Sequence, residues 1–276
     1  MINKEFYFLP VKNDRAIGVF DSGVGGLTVV RSLMERLPSE NIIYFGDTAR
    51  VPYGIKSVDT INRYASQVTE FLLKKDVKLL IVACNTMAAV AYQTIKDLSS
   101  VPVLEVIEAS AHNAVLRSRA KVIGVIGTPA TISSNAYARA ICHFDKKIKI
   151  YSQACPLFVP LVEEGLFDHQ ATNLIAREYL KPLMAEKIDT LVLGCTHYPL
   201  LKPLLQDIAG PEVTLIDSAQ SMADIAADLI EKQKIANDSN DPPDYLFCVS
   251  DVPYRFQAIG EKFLGRKFDR VEVVNL

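Results

Sequence analysis

Two cysteines in this chain stand where a sulfur could take up or release a proton. Cys84 ends the apolar run 79–83, and Cys195 ends the apolar run 191–194. Each run stops abruptly at small polar residues, Cys84-Asn85-Thr86 in one case and Cys195-Thr196-His197 in the other. A third run, 16–20, ends the same way, at Asp21-Ser22-Gly23. Backbone N–H groups at such ends are free to bind carboxylate, and a following helix favours negative charge there. An isolated thiol has a pKa of about 8.5, so ionising it at pH 7 costs roughly 2 kcal/mol. A helix N-terminus lowers that cost. His197, two residues past Cys195, and Asp21 are candidates for moving the protons. The other cysteines, Cys142, Cys155 and Cys248, lack these surroundings and read as packing.

The stretch YFGDTARVPYG, 44–54, is rich in turn formers. Pro52 and Gly54 fix a turn whose N–H groups, with the Tyr53 hydroxyl, could bind a polar ligand. Glu163 and Glu164 follow the apolar segment 156–162, and solvation of a surface is their default reading. Five cysteines, with no C-x-x-C pair, make neither a disulfide framework nor a zinc site, and no metal is expected. There is no P-loop. Gly23, Gly25 and Gly26 only partly match a dinucleotide loop, because Thr28 stands at the third fingerprint position.

The elements that must position these residues are short. β-Branched runs at 16–20, 41–45, 79–83, 101–105, 122–126, 148–151, 191–194 and 213–216 alternate with helical patterns such as 27–37, 58–74, 172–184 and 222–232. Such alternation implies βαβ units and mostly parallel sheets, whose ligands bind beyond the strands' carboxyl ends. The chain also repeats itself. Residues 17–22, IGVFDS, match 123–128, IGVIGT, and 80–84, LIVAC, match 191–195, LVLGC. The expected fold class is α/β, with two similar, mostly parallel α/β domains and the active site in the cleft between them. The expected division is 1–15 as a flexible leader, 16–109 plus 216–276 as the first domain, and 110–215 as the second. Segments 245–250, 253–264 and 268–274 read as strand, helix and strand, able to return to the first sheet.

The chain has 276 residues, 49% of them apolar, and a net charge of −2. That composition fits a globular protein and offers no basic surplus for nucleic acid. No signal-like segment and no ~20-residue apolar span occurs, so a cytoplasmic location away from membranes is expected.

IGVFDSGVGGLTVV, YFGDTARVPYG, ACNTMAAVA, CPLFVPLVEEG and LGCTHYPLL resemble the signatures of glutamate racemase, and RFQAIGEKFLGR resembles the family's tail. The resemblance implies a cofactor-independent isomerase that interconverts L- and D-glutamate and supplies D-glutamate for peptidoglycan. By motif it places the catalytic cysteines on Cys84 and Cys195, assisted by Asp21, His197 and Glu163, with Glu164 adjacent to the last. Substrate-binding pairs fall on Asp21 and Ser22, Tyr53 and Gly54, Asn85 and Thr86, and Thr196 and His197. The resemblance also implies a homodimer, and a peptidoglycan precursor as a possible activator. The chemistry suits the residue types: racemisation lifts the Cα proton from one face and returns one to the other, so two bases must face each other across the carbon. Cys84 is expected to deprotonate D-glutamate and Cys195 L-glutamate.

Overall fold

The computed structural model describes residues 13–252, 256–268 and 270–276. The apolar runs form β1 (Ile17–Asp21), β2 (Ile42–Gly46), β3 (Leu79–Val82), β4 (Val103–Glu105), β5 (Val122–Gly127), β6 (Lys149–Ala154), β7 (Thr190–Gly194), β8 (Thr214–Asp217), β9 (Tyr245–Val249) and β10 (Val271–Val273). Between them lie α1 (Leu27–Arg36), α2 (Val58–Lys74), α3 (Asn85–Leu98), α4 (Val106–Arg117), α5 (Pro129–Ser133), α6 (Ala136–Phe144), α7 (Phe158–Glu163), α8 (Gln170–Ala185), α9 (Lys202–Ala209), α10 (Ser218–Gln233) and α11 (Phe256–Leu264). The strands pair in parallel throughout, in two sheets ordered β10-β9-β2-β1-β3-β4 and β6-β5-β7-β8. The fold is α/β, as the alternation of runs implied.

Helices cover the sheets, so the central strands are buried at every residue: IGVFD in β1, LLIV in β3 and TLVLG in β7. This is why they read as unbroken apolar runs. Burying each Val, Leu or Ile contributes about 1.5–3 kcal/mol. Local signals set the helix starts. The Ser57 hydroxyl accepts the Thr60 N–H at 3.3 Å before α2, and both oxygens of Glu105 accept N–H groups of Ile107 and Glu108 before α4.

The repeat in the sequence is a repeat in space. The order β2-β1-β3-β4 recurs as β6-β5-β7-β8. Ile17 pairs with Leu79 and Ile123 with Thr190. The offsets, 123 − 17 = 106 and 190 − 79 = 111, carry one pair onto the other. By the same offsets Cys84 corresponds to Cys195, and Ser22 to Thr128.

The tail returns to the first sheet: β9 pairs with β2, and β10 with β9. The last strand is shorter than the pattern 268–274 suggested, since this edge is largely solvated. The expected division at 215/216 falls inside β8, whose four residues all pair with β7. Of the expected leader, 1–12 lie outside the described residues. Residues 13–15 are held in place: the carbonyl of Asn13 accepts from Lys78 Nζ at 3.0 Å and that of Asp14 from Asn41 Nδ2 at 2.7 Å. Lys78 is itself buried against Glu40 at 2.6 Å.

Candidate active site

The carboxyl ends of β1, β3, β5 and β7 face one cavity of about 370 Å³, lined from both sheets. Cys84, Asn85 and Thr86 enter from the start of α3, Ser22 from the turn after β1, and Tyr53 and Gly54 from the turn-rich loop. Cys195, Thr196 and His197 enter from the end of β7, and Glu163 and Glu164 from the end of α7. Ten of the expected site residues therefore line a single space. Asp21 is the exception. It is wholly buried behind that lining, where Oδ2 accepts the Gly23 N–H at 3.0 Å and Oδ1 accepts the Thr196 hydroxyl at 3.3 Å.

The two thiols have unlike surroundings. Cys84 is 4% exposed and precedes the first turn of α3, and its Sγ lies 3.6 Å from Ser22 Oγ. Burial pushes this thiol up to about 12 and the Asp21 charge adds to the effect; the Met87 N–H and Ser22 pull the other way by less. The sequence suggested that a helix start would ease ionisation here, and desolvation outweighs it. In the free protein Cys84 holds its proton.

Cys195 does not open an α-helix. A 3₁₀ turn, Tyr198–Leu201, separates it from α9. Its electrostatic partner is a side chain: His197 Nδ1 lies 3.8 Å from Cys195 Sγ, and His197 Nε2 lies 2.9 Å from Glu163 Oε1. Burial works against an imidazolium, but the bonds to Cys195 and Glu163 prevail, and the His197 pKa is pushed up to about 10. Of the adjacent glutamates it is Glu163 that reaches His197. Burial also raises the Asp21 pKa, and the His197 charge counters part of that rise.

The glycine loop after β1 makes room for this trio. A Cβ on Gly25 would stand 2.6 Å from His197 Nδ1 and closer still to Thr196 Oγ1. The partial dinucleotide pattern thus has a steric cause: the turn lets the Cys195 loop of the other sheet approach the backbone. Gly54 acts likewise, its would-be Cβ 2.7 Å from Thr128 Cβ across the cleft.

Much of the polar lining is tied together by hydrogen bonds of its own. Asn85 Oδ1 accepts the Tyr137 hydroxyl at 2.6 Å, while its buried Nδ2 has no protein partner. That amide is a donor available to a carboxylate in the cavity. Thr86, Thr128 and Thr131 form a hydroxyl cluster, with Thr86 and Thr128 at 3.1 Å and Thr128 and Thr131 at 3.0 Å. The Tyr53 hydroxyl, expected to face a ligand, donates instead to Asp47, a fully buried carboxylate that also takes Arg50 Nε at 2.6 Å and the Ser250 hydroxyl at 2.8 Å. Tyr53 therefore offers the cavity its backbone and ring. Thr128 was missed by sequence reasoning although the repeat marked it as the counterpart of Ser22. The apolar wall of Val51, Pro156, Val159 and Pro160 left no chemical signal in its residue types. Among the described residues, no group of three or more His, Cys, Asp or Glu could hold a metal ion, and no helix is long and apolar enough to cross a membrane.

A model of Asp/Glu/hydantoin racemases matches residues 17–226. The chain belongs to that family. This racemase is 66% identical, over 260 residues, to a glutamate racemase of Syntrophus aciditrophicus, an alignment covering 94% of this chain and 96% of the relative. A crystal structure of glutamate racemase from Francisella tularensis in complex with D-glutamate matches with a TM-score of 0.91 at 42% identity, over 95% of this chain and 98% of that one. Escherichia coli glutamate racemase, in complex with L-glutamate and the activator UDP-MurNAc-ala, matches with a TM-score of 0.77 at 26% identity, over 95% and 98%.

Proposed function

We propose that this racemase interconverts L- and D-glutamate by moving a proton at Cα between two cysteines, without a cofactor. One observation carries the reading: Cys84 and Cys195 are equivalent positions of a duplicated fold, and both line one cavity. A local two-fold repeat supplies a base to each face of a carbon held between the halves.

The residues divide the work. Cys195 lifts the Cα proton of L-glutamate while His197, braced by Glu163, balances the charge at that sulfur. Cys84, which holds its proton in the free protein, donates to the opposite face. In the reverse direction Cys84 is the base and Cys195 the acid. The carbanion formed in between is stabilised by fixed donors in a largely buried site, where preorganised electrostatic contributions are large. Ser22, the Tyr53–Gly54 backbone, Asn85, Thr86 and Thr196 bind the carboxylates and the ammonium. Asp21 acts from behind, by its charge on Cys84 and its hydrogen bond to Thr196.

The family resemblance carries three further readings, of which only the activator has support in a relative, the Escherichia coli enzyme's complex with UDP-MurNAc-ala. The product D-glutamate serves peptidoglycan synthesis in the cytoplasm, the enzyme works as a homodimer, and a peptidoglycan precursor is a candidate activator. The division at 16–109 plus 216–276 and 110–215 follows the two sheets except for Ile216 and Asp217, the second half of β8, which pair in the second sheet.

Circular dichroism of purified protein with L- or D-glutamate, in chelator and without added cofactor, tests the activity. In deuterated water each racemised molecule should gain one deuterium at Cα. Exchange with aspartate and none with glutamate would reassign the substrate. Full activity after Ser replaces either cysteine would overturn the two-base reading.

A further inference from the structure

The tail motif RFQAIGEKFLGR is not accounted for by sheet completion. Within it α11 packs on α1 and carries Phe263, which is fully buried. The Phe263 ring lies against His197, with centroids 5.3 Å apart and planes at 78°. One residue earlier, Lys262 Nζ sits 5.0 Å from the centroid of Phe167, four residues beyond Glu163. The tail of the first sheet thus reaches the histidine that serves Cys195.

The His197 ring needs such support. Both ring nitrogens are engaged, Nδ1 with Cys195 at 3.8 Å and Nε2 with Glu163 at 2.9 Å. The ring is tethered at Cγ, and its torsion about the Cβ–Cγ bond has a broad minimum, so small turns of the imidazole plane cost little. Rotation tilts the N–H directions away from their acceptors, and hydrogen bonds weaken steeply once bent. Packing on the ring restricts that rotation. The Gly25 backbone stands close on one part of the ring, as the 2.6 Å approach of its would-be Cβ to Nδ1 shows. Phe263 supplies a second, aromatic wall.

We infer that Phe263 is a positioning residue for the Cys195–His197–Glu163 half of the site, holding the imidazole plane so that the proton shared with Cys195 stays aligned. It is not among the residues that line the cavity, and its effect passes through His197. The inference rests on the racemase reading only for its kinetic consequence.

The test compares Phe263→Leu, which keeps apolar volume under α11, with Phe263→Tyr, which keeps the ring, and with the unsubstituted protein, all in the full chain. Thermal melting establishes that each is folded. Iodoacetamide labelling of Cys195 is followed by peptide mass spectrometry across pH, with Cys84 as internal reference. Phe263→Leu should move the labelling profile of Cys195 toward higher pH and leave that of Cys84 in place, while Phe263→Tyr restores the original profile. The kcat for glutamate should fall about tenfold in Phe263→Leu with KM within about twofold, since misplacement of a reacting group costs up to ~100-fold. Unchanged Cys195 labelling and kcat in a folded Phe263→Leu protein would overturn the inference and leave Phe263 a packing residue. Labelling needs no turnover, so an unsubstituted protein inactive on glutamate would count against the proposed function and leave this inference to be decided by the profile.

Discussion

Replacing Glu163 by Gln isolates the charge at the far end of the imidazole. The amide keeps the shape and an acceptor oxygen beside His197 Nε2 but removes the negative charge 2.9 Å away. A hydrogen bond to a charged group contributes about 1.5–3 kcal/mol and a neutral one about 0.5–1.5, a difference near 1.5 kcal/mol. Glu163 keeps 34% of its side chain in solvent, which screens the charge and trims the difference to about 1 kcal/mol. At 1.36 kcal/mol per pH unit, the His197 pKa should fall by roughly 0.7 pH unit from its value near 10. The profile of kcat/KM reports the free enzyme. Its alkaline limb, measured by circular dichroism from pH 7 to 11, should move toward lower pH by that amount. Stability follows with a definite sign. The folded pKa lies above the unfolded value of about 6.5, so His197's contribution is complete below about 6.5 and is lost as pH rises through about 10. The melting temperature of the unsubstituted protein should therefore exceed that of Glu163→Gln by more at pH 6 than at pH 10.5. An alkaline limb that stays put or moves upward in a folded variant refutes the coupling of Glu163 to His197.

Two further outcomes are expected. Gly25→Ala places a methyl against His197 Nδ1 and Thr196 Oγ1, so the Cys195 loop must retreat; kcat should fall ~10²-fold with the fold retained by circular dichroism. Asn85→Leu removes the inward amide and strands the Tyr137 hydroxyl, so KM for glutamate should rise about tenfold or more and the protein should lose about 1–3 kcal/mol in urea titration.

Much of the architecture was legible because a strand covered on both faces must be apolar along its length. LLIVA and LVLGC announced both the sheets and the places where they end. The repeated offsets of 106 and 111 were legible too, since equivalent buried strands carry equivalent constraints. The glycines were misleading for a physical reason: a glycine reports that something comes close, not what it is. Here it is the imidazole of His197, brought from about 170 residues away.

By itself the sequence determined the residue types, the two strand-end thiols and their equivalence. These are local properties, fixed by composition and spacing. Tertiary structure alone decided that Cys84 keeps its proton, because burial and the nearness of Asp21 are sums over distant chain. It also decided that Glu163 rather than Glu164 meets His197, that Tyr53 turns its hydroxyl to Asp47, and that a phenylalanine from the tail stands against the histidine. Each depends on where a side chain points once two sheets and a returning tail have packed, and no spacing along the chain encodes that direction.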